Sequence, residues 1–357
     1  MSAAGQEHGD EPSEQTDPAV AATVSASTPT KCPARTRVYR SGNLVAAGFP
    51  VAEISDYLDK DDGSVVWLDL LDPGERDLDV LSDEFGLHPL AVEDAEQQHE
   101  RTKLDRYSGY LFLTAYSVRL NQKTGRLGTS ELSAFIMQRA LITIRKDESF
   151  DIGAVVRYWD GSPDLAKEGV GYLLHGLLDN IVDGYFSAVQ SLDDQIEDIE
   201  DQLFSDNPRE QGMVQRRSFE LRKSLVLLRR VVLPMREVVN AVMRRDLGIM
   251  TDALQPYYQD VYDHVLRATE WTESLRDLVT TILETNLTVQ ANRMNVISKK
   301  VTSWAAIIAV PTFVTGFYGM NVPYAGFGRA WGVAVAVVLM VVTSTTLYFV
   351  FKAKDWL

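Results

Sequence analysis

Between Lys300 and Arg329 the chain carries no charged residue, and residues 301–320 are long enough to cross a hydrocarbon core of ~30 Å. A second uncharged stretch, 330–351, follows after residues 321–329 alone, so the two spans can only form a tight helical hairpin. Burying that hairpin inside a soluble protein would need a large core around two uncharged helices. A chain whose mean hydropathy is near zero does not supply one.

Lys299 and Lys300 precede the first span and Lys352 and Lys354 follow the second, whereas the connection carries only Arg329. This bias predicts cytoplasmic termini and an external loop, in a two-span protein of the cell membrane. The aromatic residues agree: Trp304, Tyr348 and Trp356 fall at the inner interface, Tyr318 and Trp331 at the outer one.

The chain has 357 residues and a formal net charge of −15, which describes an acidic soluble body attached to a small membrane portion. One hairpin encloses no pore, so conduction would require several copies around an axis. The acidic balance argues against nucleic acid or anionic lipid as the main partner and suits the handling of cations.

Residues 1–36 are rich in Ala, Ser, Thr, Glu and Pro and read as a disordered acidic tail. They lack the apolar run of a signal peptide. Cys32 is the only cysteine, so no internal disulfide forms. Residues 37–162 read as a cytoplasmic α/β domain, with strands at 64–70, 110–120, 131–138 and 141–145 and helices at 77–85 and 89–98. There is no Gly-rich phosphate loop, nucleophile elbow or His-Glu-x-x-His, and the expectation is a protein that is not an enzyme.

Residues 163–300 switch to helical periodicity: 171–204, 208–247, and a third helix from 252 into the membrane. Leu221, Leu225, Leu228, Val232, Met235, Val239 and Val242 recur at spacings of three and four, the stripe of a packed helix. Asp193, Asp194, Glu197, Asp198, Glu200 and Asp201 form an acidic run that usually marks a solvated face. No proline or glycine falls between Pro256 and Pro311, so a single rod of ~80 Å can join the body to the first span.

Tyr318-Gly319-Met320-Asn321 lies at the outer end of the first of two C-terminal spans. With Pro256-Tyr-Tyr-Gln-Asp-Val-Tyr-Asp-His264, His88-Pro-Leu-Ala-Val-Glu-Asp94 and the long stalk, it makes the chain resemble the CorA-type magnesium channel family. The resemblance implies a funnel-shaped homopentamer: an α/β cytoplasmic domain, a long α-helical stalk and two C-terminal transmembrane helices, 301–320 and 330–351, before a basic C-terminus at 352–357. It implies Gly319, Met320 and Asn321 as the selectivity filter, and Mg²⁺ as both the transported and the regulatory ion, with Co²⁺ and Ni²⁺ as further candidates. It also implies a divalent site between neighbouring cytoplasmic domains, with acidic positions matching Asp94 and Asp260, whose occupation holds the pore closed.

Read from the residues, one face of the first span carries Gly316, Thr312, Ala309, Ala305 and Val301 and continues down to Ser298 and Asn295. Such small or weakly polar residues suit either a water-filled pore or close helix packing. The resemblance puts Asn295, Thr312, Gly316 and Asn321 on the axis. Mg²⁺ gives up its water reluctantly, so a ring of neutral amides at Asn321 suits the outside of a hydrated ion, and conduction requires weak sites. A helix C-cap is the plain structural role for the same asparagine. Asp260, Asp263 and His264, at i, i+3 and i+4, form a workable hard-ligand cluster that is equally ordinary as a solvated face.

Two features depart from the family pattern. The loop after the motif has no carboxylate, and Val301 and Ala309 are small where constrictions are expected. The alternatives are a proton-coupled zinc transporter of the same superfamily and a non-conducting membrane-anchored sensor. Met320 favours the magnesium reading over the first, and Asn295 on the lumen face disfavours the second.

Overall fold

The computed structural model describes residues 31–60, 62–97, 101–203, 208–244, 248–320 and 323–357. Residues 1–30 of the expected tail, and Asn321, lie outside them. Strands β1 (Ala34–Arg40), β2 (Asn43–Ala47), β3 (Ser64–Leu71), β4 (Lys103–Tyr107), β5 (Tyr110–Asn121), β6 (Arg126–Met137) and β7 (Ala140–Arg145) form one sheet ordered β2-β1-β3-β7-β6-β5-β4. Its ladders are antiparallel except for β3 and β7, which run parallel with Val66 opposite Ala140. Among the described residues the first strand starts at Ala34, before the expected boundary at 37, because Ala34, Arg35 and Thr36 pair with Leu70, Asp69 and Leu68.

The central strand β3 is buried on both faces, as befits a parallel pair covered from both sides. Val66, Leu68 and Leu70 face a 3-10 turn (Val51–Glu53) and helices α1 (Ile54–Leu58), α2 (Glu75–Phe85) and α3 (Pro89–Glu96), where Leu78, Leu81, Ala91 and Ala95 meet Phe112, Phe135 and Ile142. Trp67 faces the opposite way, edge-on to Trp159 at 5.0 Å between ring centroids. That second core is roofed by α4 (Ile152–Gly161), α5 (Pro163–Ala166), α6 (Val170–Leu203), α7 (Pro208–Val242) and the first half of α8 (Gln255–Tyr318). Within the sheet a buried ion pair joins Arg145 Nη2 to Asp69 Oδ2 at 2.7 Å, and Thr143 Oγ1 donates to Asp69 Oδ1 at 2.9 Å. The extra hydrogen bond helps to offset the cost of burying both charges.

Helices α6, α7 and α8 pack on one another. Gly171, near the start of α6, lies tight against the segment that leads into α8: a Cβ there would lie 2.4 Å from the Ile249 carbonyl oxygen. Tyr258 donates its hydroxyl to the Gly171 carbonyl at 2.8 Å, fastening the start of α8 to α6. Tyr258, Val261, Val265, Ala268, Leu275, Val279 and Ile282 carry the buried stripe of α8 onward. Burial ends at Asn286 and resumes only at Ser303. The 64 residues of α8 extend about 96 Å at 1.5 Å each. Helix α9 (Ala330–Ala353) then returns against its far end. Both apolar spans are almost entirely exposed within the chain, whereas a core helix of a soluble protein would be covered. They are membrane helices, and the fold is an α/β body on a long stalk with two C-terminal spans.

Candidate functional site

Ser303 and Val314 are the buried positions of the first span, and α9 is the element packed against it. At 100° per residue, Val301, Ala305, Ala309, Thr312 and Gly316 fall roughly half a turn away from that contact, and all five are exposed. Asn295 and Ser298 extend the exposed strip down the stalk. Large side chains flank it, among them Ile308 and Phe313, the latter 77 % exposed. A Cβ on Gly316 would meet nothing within 4 Å among the described residues, so no contact inside one chain requires glycine there. Thr312 Oγ1 donates to the Ile308 carbonyl at 3.0 Å. Its proton is thereby used, and the hydroxyl offers lone pairs outward, the polarity that receives the water protons of a hydrated cation.

Helix α8 ends at Tyr318, and the Gly319 N–H donates to the Thr315 carbonyl at 2.8 Å. The Tyr318 carbonyl accepts from the Tyr324 phenol at 3.2 Å, and Tyr324 packs edge-on against both Tyr318 and Phe327. A loop tyrosine thus satisfies one terminal carbonyl of α8, and Asn321, the C-cap candidate, lies outside the described residues. Met320 is exposed.

The ligand candidates of the body separate into two places. Asp94, near the end of α3, is ion-paired with Lys103 Nζ on β4 at 2.5 Å. Asp260 projects from α8, largely exposed, on the opposite side of the sheet from α3. Asp263 accepts from Gln259 Nε2 at 3.0 Å along its own helix. His264 turns instead toward α6, where Asp179, Asp183 and His264 place ligand atoms within 4.8 Å of one another. Its Nδ1 lies 3.7 Å from Asp260 Oδ2, too far for a hydrogen bond, and this buried atom has no hydrogen-bond partner among the described residues.

Burial raises the Asp179 carboxyl above its usual range, against the pull of His264. Burial first, and then the neighbouring Asp179 charge, raises Asp183. Asp179 is half-buried and Asp183 exposed, and a divalent cation held between them would relieve their mutual repulsion. Oxygen donors suit Mg²⁺, and the imidazole adds affinity for Co²⁺ or Ni²⁺. The sequence does not single out this pair, because the acidic run 193–201 carries the denser charge on the same helix. In the structure that run is a largely solvated face, with Asp198 only 4.0 Å from Arg217. The available signal was an i, i+4 pair of aspartates inside an otherwise apolar, buried stretch of α6.

Residues 62–353 match the family model described as CorA-like Mg2+ transporter protein. The chain is 34 % identical over 255 residues to the putative metal ion transporter YfjQ of Bacillus subtilis, covering 71 % of this chain and 78 % of that one. It is 28 % identical over 303 residues to the cobalt/magnesium transport protein CorA of Thermotoga maritima, covering 84 % and 85 %. The complete structure of the CorA magnesium transporter from Methanocaldococcus jannaschii superposes with a TM-score of 0.75 over 91 % of this chain and 98 % of that one, at 24 % identity. The two exposed apolar spans, the first of them the end of the 64-residue α8, the α/β body and the match across residues 62–353 agree: the chain belongs to the CorA-like Mg²⁺ transporter family and is a divalent-cation transporter of the membrane.

Proposed function

We propose that the protein is a homopentameric channel that passes Mg²⁺ passively across the cell membrane, with both termini cytoplasmic. The filter is the ring of Gly319, Met320 and Asn321, and the pore is lined by Asn295, Ser298, Val301, Ala305, Ala309, Thr312 and Gly316. The observation that carries this reading is the bare strip of small residues on the side of α8 opposite α9. A strip without bulk or carboxylates, beside a threonine presenting lone pairs, gives a hydrated divalent ion room and only weak sites. The stalk supports assembly. Leu287, Met294, Val296 and Ile297 are exposed on a part of α8 that its own chain does not cover, and such apolar surface calls for a partner.

Closure follows from intracellular Mg²⁺ bound between neighbouring bodies, with Asp94 of one copy and Asp260 of the next as ligands. Asp179, Asp183 and His264 form an adjoining intrachain group beside Asp260. A bound ion favours the closed arrangement only by its greater affinity for it. The continuous α8 rod carries the resulting displacement from the body to the membrane.

The test is flux into liposomes containing the purified protein, comparing Mg²⁺, Co²⁺, Ni²⁺ and Zn²⁺ with and without a pH gradient. Mg²⁺ flux independent of the proton gradient, abolished by Asn321→Ala with the oligomer intact, is the expected result. Flux of Zn²⁺ alone, driven by the gradient, would instead identify a proton-coupled zinc transporter.

A further inference from the structure

We infer that Lys103 is a built-in competitor of the regulatory cation: its ammonium occupies the Asp94 carboxylate when no divalent ion does, and so sets the Mg²⁺ concentration at which the channel closes. The inference rests on the proposed role of Asp94 as a ligand. Lys103 Nζ lies 2.5 Å from Asp94 Oδ2 and 2.9 Å from Asp105 Oδ2. Its side chain is half-buried, with Nζ 5.9 Å from the centroid of the Phe112 ring.

The placement makes this a switch rather than a fixed pair. Lys103 and Asp105 are two apart on β4, hence on one face of an edge strand, and Lys103 sits opposite Thr114 of β5. A divalent ion arriving at Asp94 meets a carboxylate already held by a positive charge, and like charges repel across so short a distance. The ammonium then has Asp105 to retain when it releases Asp94. Asp105 lowers the cost of release, and Asp94 is shared in turn between an internal monovalent cation and an external divalent one.

The experiment is a Mg²⁺ titration of protease protection on the full-length protein in detergent, for wild type, Lys103→Met, Lys103→Arg, Asp105→Asn and Asp94→Asn. Removing one charge-assisted hydrogen bond is expected to lower the Lys103→Met midpoint about five- to tenfold. Lys103→Arg keeps the competitor and leaves the midpoint at or above wild type. Asp105→Asn removes the alternative anchor and raises it, and Asp94→Asn raises it most. A Lys103→Met midpoint that is unchanged or higher, while Asp94→Asn still raises it, overturns the competitor role alone. An unchanged midpoint in Asp94→Asn overturns the ligand role of Asp94 on which the inference rests.

Discussion

In the soluble body the largest side chains point inward, whereas along the far half of α8 and all of α9 they point outward. Trp67, Trp159, Tyr172, Tyr185 and Tyr258 are fully buried in the body, yet Phe313, Phe349 and Val333 are bare in the spans. The change happens within one uninterrupted helix, because α8 is a core element as far as Asn286 and a nearly uncovered rod beyond it. The body therefore holds its fold by contacts within the chain, whereas the two spans are almost uncovered by it.

The largest expected effect comes from the body. Trp67→Ala removes a fully buried ring from beside Trp159 and costs about 3–5 kcal/mol. Phe313→Ala, at an exposed position, costs less than about 1 kcal/mol. Denaturant unfolding of the full-length protein in detergent checks both, and equal losses would break the comparison. Next in size is the bare stalk. Leu287→Gln combined with Ile297→Gln leaves the unfolding midpoint of the body within about 0.5 kcal/mol of wild type, while size-exclusion chromatography shows a smaller assembly. Loss of body stability with the assembly intact would place those residues in an intrachain core.

The separation of the two regions was legible in the sequence, because charge-free spans and a stretch without proline or glycine are local signals. The predominantly apolar strands β3, β5 and β7 were legible for the same reason. Strands β1, β2 and β4 were not read. Lys103–Tyr107 is five residues of mostly polar sequence and Asn43–Ala47 is exposed, so their strand character comes from pairing with β5 and β1. Strand β6 starts at Arg126 rather than 131 because the hairpin continues the β5 register out to Asn121. Of the site, the small-residue strip was readable from helical spacing. The meeting of Asp179 and Asp183 with His264, and of Lys103 with Asp94, depends on how elements distant in sequence pack.

The smallest expected effect concerns the half-buried Asp179 and the exposed Asp183 of α6. The folded-state values of Asp179 and Asp183 are raised, chiefly by burial. The folded protein therefore binds these protons more tightly than the unfolded chain. The stability they contribute is complete below the unfolded carboxylate range near about 4, and is lost as pH rises through the raised folded values. In divalent-free buffer at neutral pH, Asp183→Asn should raise the thermal midpoint by about 2–4 °C and reduce the further gain produced by Mg²⁺. A lower midpoint would show that the ionised carboxylate stabilises the apo body.

The central claim is that the small-residue strip of α8 faces a water-filled axis between copies. Because Cys32 is the only cysteine, a Cys32→Ser background allows single thiols to be placed at will. A charged, water-soluble thiol reagent applied to proteoliposomes should block Mg²⁺ uptake in Ala309→Cys and leave it unchanged in Phe313→Cys. Block in Phe313→Cys with Ala309→Cys untouched would contradict the account and turn the strip toward lipid or a neighbouring helix.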